Sequence, residues 1–157
     1  MDDKIITIYE ANGKNINSEP VAHLFDLELN FLETITFPNI EYRITDATAI
    51  DEFNEFWLIN YFWPGEKDQY KPAEDEIAQH FGKGETHSNT EVVERLLKFE
   101  YSKDKFSLTR SEPIQLKLIS DARNLEGIVK FDDLGFLICT DKFPKTILGF
   151  IPFNFGE

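Results

Sequence analysis

The sequence predicts an α+β fold: a single domain, 1–157, mainly antiparallel sheet with two to three helices packed on one face. Three observations carry that expectation. Short β-rich runs occupy both ends of the chain, helix signals are confined to its middle, and closely spaced turn residues join successive runs, which implies antiparallel pairing. The length of 157 residues suits one domain, and 41% apolar with 14% aromatic residues is too rich for a disordered tail. No internal repeat, low-complexity tract or Pro/Gly/Ser linker is visible along the chain.

The elements follow in order. Lys4 to Glu10 is rich in Ile and Thr and reads as a strand; Asn12-Gly13 follows as a hairpin turn, because both residues tolerate positive φ. In 21–37 seven of the nine odd positions are apolar, among them Val21, Phe25 and Leu27, so period two predicts a strand with that face, His23 included, buried; a helix through Leu24, Leu27, Phe31 and Ile35 is the alternative over 21–33. Pro38 ends it, and 40–45 is a further short strand. Residues 46–63 read as a helix: Asp46 or Thr48 caps it, Asp51 and Glu52 suit its dipole, and Ile50, Phe53, Trp57 and Tyr61 form one stripe. The nearly all-apolar stretch 56–63 also fits a strand. Residues 73–81 make a short helix between Pro72 and Gly82. Ser88-Asn89-Thr90-Glu91 fits a capping box before a helix with Val93, Leu96, Leu97 and Tyr101 on its apolar face. Ile114, Leu116 and Leu118 alternate as a strand; 124–127 and 132–135 are turns; 127–131, 136–140 and 145–152 are short strands.

Charge narrows the partners. The chain carries 29 acids against 16 bases, net -13. Residues 101–157 are neutral, so the whole excess lies in residues 1–100. Such a surface repels nucleic-acid phosphate and anionic membrane and favours a basic protein partner. No apolar run is long enough to span a bilayer, and Met1-Asp2-Asp3-Lys4 does not resemble a secretory leader. The single Cys139 forms no internal disulfide and sits in an apolar run as a small buried thiol. A cytoplasmic protein is the expectation.

Motifs for chemistry are sparse. His80 and His87, among Glu74, Asp75, Glu76 and Glu85, are weak metal candidates; their spacing matches no compact zinc motif, and two surface histidines is the plainer reading. His23 reads as a hydrogen-bonded core imidazole. No nucleophile elbow or phosphate loop occurs, and Gly82-Lys83-Gly84 reads as a turn. Neither cofactor nor catalytic residue is expected.

The richest segment is 51–76. Six aromatics fall among residues 53–63, amid a run of acids. Aromatic anchors in an acidic rim suit a basic partner. The expected partner-binding residues are Asp51, Glu52, Glu55, Trp63, Glu66, Asp68, Tyr70, Glu74, Asp75 and Glu76. The leading expectation is therefore an immunity or antitoxin-type bacterial inhibitor that neutralises a basic toxin, such as a nuclease, by occlusion. The alternative is a small-molecule-binding domain or small enzyme with a pocket between sheet and helices and His23 as its acid/base. The oligomeric state stays open.

Overall fold

A computed structural model of the chain describes residues 4–102, 104–117, 123–141 and 145–153. Met1-Asp2-Asp3 and Leu118 of the readings above lie outside that range. The chain is sheet-dominated, 46% strand and 13% helix, and its strands pair antiparallel.

Three sheets form in chain order. The first is β1 (Ile5–Ile8), β2 (Val21–Phe25) and β3 (Phe31–Thr36). The central one is β4 (Arg43–Ala47), β5 (Glu55–Phe62), β6 (Val93–Ser102) and β7 (Lys105–Leu108), with the two-residue β8 (Ile114–Gln115) also paired to β6. The third is β9 (Leu125–Phe131), β10 (Gly135–Thr140) and β11 (Leu148–Pro152). Between β5 and β6 lie a 3-10 turn, Pro64–Glu66, and three short helices: α1 (Lys67–Tyr70), α2 (Glu76–Phe81) and α3 (Glu85–Thr90).

The sheets stack face to face through two apolar layers. Phe56, Leu58, Leu97 and Phe99 of the central sheet pack with Ala22, Leu24 and Ile35 of the first sheet and with Ile77 of α2. On the other face, Ile59, Tyr61 and Leu96 pack with Leu125, Ile128, Phe136 and Ile138 of the third. The stack is also a fan. The Ile44 amide donates to the Glu10 carbonyl at 2.9 Å, just past β1, and β4 packs against β9. The Asp46 carboxylate accepts the Ile128 amide at 2.7 Å. The first strands of all three sheets thus converge, while β3 meets β7 on the far side.

Several expectations are corrected. Segment 21–37 is a hairpin, not one strand, with Asp26 accepting the Asn30 amide in its turn. Its even residues Ala22 and Leu24 face the core, and the odd ones of β2 face outward, opposite to the expected face. Asn12-Gly13 does turn the chain, and Gly13 adopts φ +110; a Cβ there would meet the Glu41 carboxylate at 2.7 Å. The loop then runs on to β2 rather than closing a tight hairpin.

Residues 46–63 form no helix. Most of 56–63 is β5, and Phe53, expected in the apolar stripe, is 71% exposed in the turn before it. The expected helix with Val93, Leu96, Leu97 and Tyr101 is likewise strand, β6 (Val93–Ser102), and α3 ends where the capping box was to start a helix, with Glu91 left-handed at φ 59. The cause is the same in both places. A central strand covered on both faces is apolar at odd and even positions alike, which erases period two. In β6 the adjacent Glu94 and Arg95 imitate a polar helix face, yet both are buried. Residues 124–127 are mostly β9, not a turn. Cys139 is half-buried beside Gly127 rather than inside the core.

One polar network fixes the helical insert to the central sheet. Arg95, fully buried, donates to both Asp75 oxygens at 2.9 and 3.0 Å and to Asn60 Oδ1 at 2.8 Å. Asp75 also caps α2 by accepting the Ala78 amide. Asn60 Nδ2 donates to the Glu41 and Arg43 carbonyls. Asp75→Ala leaves a buried guanidinium unpaired and is expected to cost about 3–5 kcal/mol of stability. The double replacement Asp75→Leu with Arg95→Met is expected to cost much less. Urea unfolding of the two variants beside the parent measures the difference.

Candidate functional site

The ten expected partner-binding residues fall into two groups, one at each end of β5. β5 has eight residues, which at about 3.3 Å per residue separates its ends by about 23 Å. Asp51, Glu52 and Glu55 lie at its start; Trp63, Glu66, Asp68, Tyr70, Glu74, Asp75 and Glu76 follow its end.

At the start, Asp51 builds a turn. Its Oδ1 accepts the Phe53 and Glu55 amides at 3.0 Å and its Oδ2 the Lys130 ammonium at 3.1 Å. Burial alone would raise this carboxyl; the Glu55 amide, Lys130 and the Phe53 amide outweigh it and hold the group below the usual carboxylate range. Glu55 is paired with Lys98 at 2.6 Å. Of these three, Glu52 is the fully exposed acid.

At the other end, three of the expected residues turn inward. Asp75 is held by Arg95. Tyr70 is buried with the Arg43 guanidinium 5.9 Å from its ring centre, and Glu66 reaches Arg43 at 3.5 Å. Trp63 is 49% exposed, its indole lying over Gly65, and Asp68, Glu74 and Glu76 face solvent.

Residues not anticipated organise this end. Arg43 sits where the first strands converge, paired with Glu10, Glu66 and Glu126 and facing the rings of Tyr61 and Tyr70. One guanidinium thus meets three carboxylates. Burial pushes the Glu126 carboxyl up, with Arg43 opposing, and pushes Tyr61 up to about 12, with Glu66 adding to it. The signal was present in the sequence: Arg43 is the one Lys or Arg between Lys14 and Lys67. Glu41 is a second such residue. Buried, it accepts the Lys14 amide and the Ala73 amide, both at 2.9 Å, tying three segments together.

Beside Glu41 a cavity of about 550 Å³ opens between α2 and the segments 38–41 and 108–110. Ile40, Ile77, Phe81 and Leu108 supply apolar lining, and Lys14 and Arg110 are the cations at it. His80 lines this cavity and packs on Phe81; His87 lies on another, beside Tyr42. Among the described residues no group of three or more His, Cys, Asp or Glu is placed to hold a metal ion. His23 is neither a core residue nor a lining residue of the 550 Å³ cavity. It lies on the outer face of the first sheet, within reach of the Thr34 and Tyr9 hydroxyls at 3.2 and 3.4 Å. No helix among the described residues is long and apolar enough to cross a membrane.

No protein-family model, curated protein or solved structure matches the chain. The site is therefore interpreted from its own chemistry.

Burial, followed by Lys83, pushes the His87 imidazole below its ordinary value of 6.5, and Asp75 only partly opposes this. The unfolded histidine then takes up its proton before the folded one. Stability present above pH 6.5 is expected to fall as the pH drops from there toward the folded value. Urea midpoints between pH 7 and pH 5 measure this slope, and His87→Gln should flatten it.

Proposed function

We propose that the protein is a non-catalytic, acidic protein-binding inhibitor of the immunity or antitoxin type. In this reading it is a single-domain protein of the bacterial cytoplasm. It covers the basic groove of a toxin, such as a nuclease, and acts by occlusion without turnover.

The observation that carries this reading is the disposition of charge after β5. Arg43 and Arg95 are paired with carboxylates at this end, and the exposed bases of the segment are Lys67 and Lys71. Asp68, Glu74 and Glu76 are exposed in the segment that begins with the half-exposed Trp63. An aromatic anchor within unpaired acids supports recognition of a cationic protein surface, with the acids accelerating encounter and the ring contributing contact. The binding segment therefore narrows to Trp63–Glu76, and Asp51, Glu52 and Glu55 drop out of it.

Binding of this kind weakens with salt, since exposed charges are screened beyond about 8 Å at physiological ionic strength. Affinity capture at low and high salt should retain a basic protein only at low salt. Reversing Asp68, Glu74 and Glu76 to Lys should abolish its retention, and Glu52→Lys at the far end should not. Capture of no basic protein, or retention indifferent to the triple reversal, would sink the reading.

The 550 Å³ cavity supports a second reading, a small-molecule-binding domain, because its volume lies in the ligand range and its lining mixes apolar and charged groups. A ligand that raises the melting temperature of the parent protein, but not of a Leu108→Trp variant with the cavity filled, would favour it.

A further inference from the structure

Among the described residues, both ends of the three-sheet stack expose large apolar side chains. On the third sheet the outward rows are Val129, Leu137 and Phe150, flanked by Phe131 on one side and by Cys139 and Leu148 on the other. None of these side chains is charged. Leu148 is 74%, Val129 53%, Phe150 50% and Phe131 47% exposed. On the first sheet, Phe25, Phe31, His23 and Tyr9 make a continuous run of rings, with neighbouring centres 5.7 to 6.3 Å apart. Thr7, His23 and Thr34 form a polar row beside Phe25 and Phe31. Stacked architectures normally finish with a polar outer face; the first sheet does so only in part, and the outward rows of the third sheet do not.

We propose that the two ends cover each other in a second copy of the chain. The outer face of the first sheet of one copy packs on the outer face of the third sheet of its partner, and reciprocally, to close a ring of sheets.

Three features select this occupant and this arrangement. The first is the fan: β4 meets both the end of β1 and β9, so the sheets already radiate from a shared line of first strands. Sheets arranged radially close at four to eight members, and two copies of three sheets supply six. The second is charge. The aromatic face of the first sheet is bordered at its hairpin tip by the exposed Glu28, so two such faces together would set like charges against each other, whereas the third sheet's rows carry no charge. Unlike faces pair with less repulsion than the two acidic-rimmed faces would, which makes the contact heterologous, and a heterologous contact that closes forms a ring. The third is area. The two faces of one copy expose on the order of 700 Å² of apolar side chain, close to the roughly 800 Å² per partner of a standard interface.

Light scattering coupled to size exclusion, from low micromolar to hundreds of micromolar protein, tests the proposal on the parent chain and on Phe31→Asp and Phe150→Asp. Both positions are half-exposed, and a single cooperative urea transition with the parent's slope verifies that each variant folds. The parent should have the mass of a dimer. Each variant alone should dissociate at least about thirtyfold more readily, the loss typical of a central aromatic anchor. An equimolar mixture of the two should recover dimers, because a mixed pair keeps one undamaged contact. Alkylation of Cys139 in the parent should slow as the dimer forms. A parent that stays monomeric overturns the proposal. So does a dimer that resists Phe31→Asp while yielding to Phe150→Asp, since that result means two third-sheet faces pair with each other.

Discussion

The contact between Arg95 and Asp75 is the constraint on which much else depends. β6 runs through the middle of the molecule, and a guanidinium at its buried face requires a carboxylate and hydrogen bonds on every side. Asp75 supplies the charge from the insert, and Asn60 supplies an acceptor from β5. Each of these partners has a second duty. Asp75 starts α2, and Asn60 holds the carbonyls on either side of Tyr42. Tyr42 itself is left-handed, at φ 77, and faces Arg95 with its ring centre 5.8 Å from the guanidinium carbon. A short helix of six residues has little stability alone; here it is secured from its N-cap by the central sheet.

Charge is partitioned rather than spread. Arg43, Arg95, Lys98, Arg123 and Lys130 all reach carboxylates from distant parts of the chain. Arg43 and Lys130 link the central region to β9, Arg95 links the central sheet to the insert, and Lys98 links β6 to β5 within the central sheet. Acids outnumber bases 29 to 16, so carboxylates remain on the surface after this pairing.

The outer sheets were legible in the sequence, and the centre was not. β1, β9, β10 and β11 coincide closely with runs of β-branched and aromatic residues between turn signals, because one side of each faces solvent and punctuation survives. β5 and β6 are covered on both sides, so their residues carry no alternation, and Phe53, Trp57 and Tyr61 fell by chance on a helical stripe. The hairpin within 21–37 was hidden because Leu27 and Leu29, exposed at its tip, continued the apolar pattern. The three-sheet repetition has no sequence counterpart, since each sheet meets different neighbours. Of the site, the acids and Trp63 could be read from residue type. Arg43 stands out in the sequence only as an isolated base; its role, and those of Glu41 and Glu126, come from a convergence of strands far apart in the chain.

The two tryptophans stand in contrasting surroundings. Trp57 lies within the layer between the central and third sheets, its ring 5.3 Å from that of Phe136 and faced by the Lys98 ammonium. Trp63 leans over a glycine in open solvent at the far end of the same strand. The protein thus carries two built-in optical reporters on one strand. Emission from Trp57 follows the separation of the layers, and quenching of Trp63 by small solutes follows anything that settles on the acidic end.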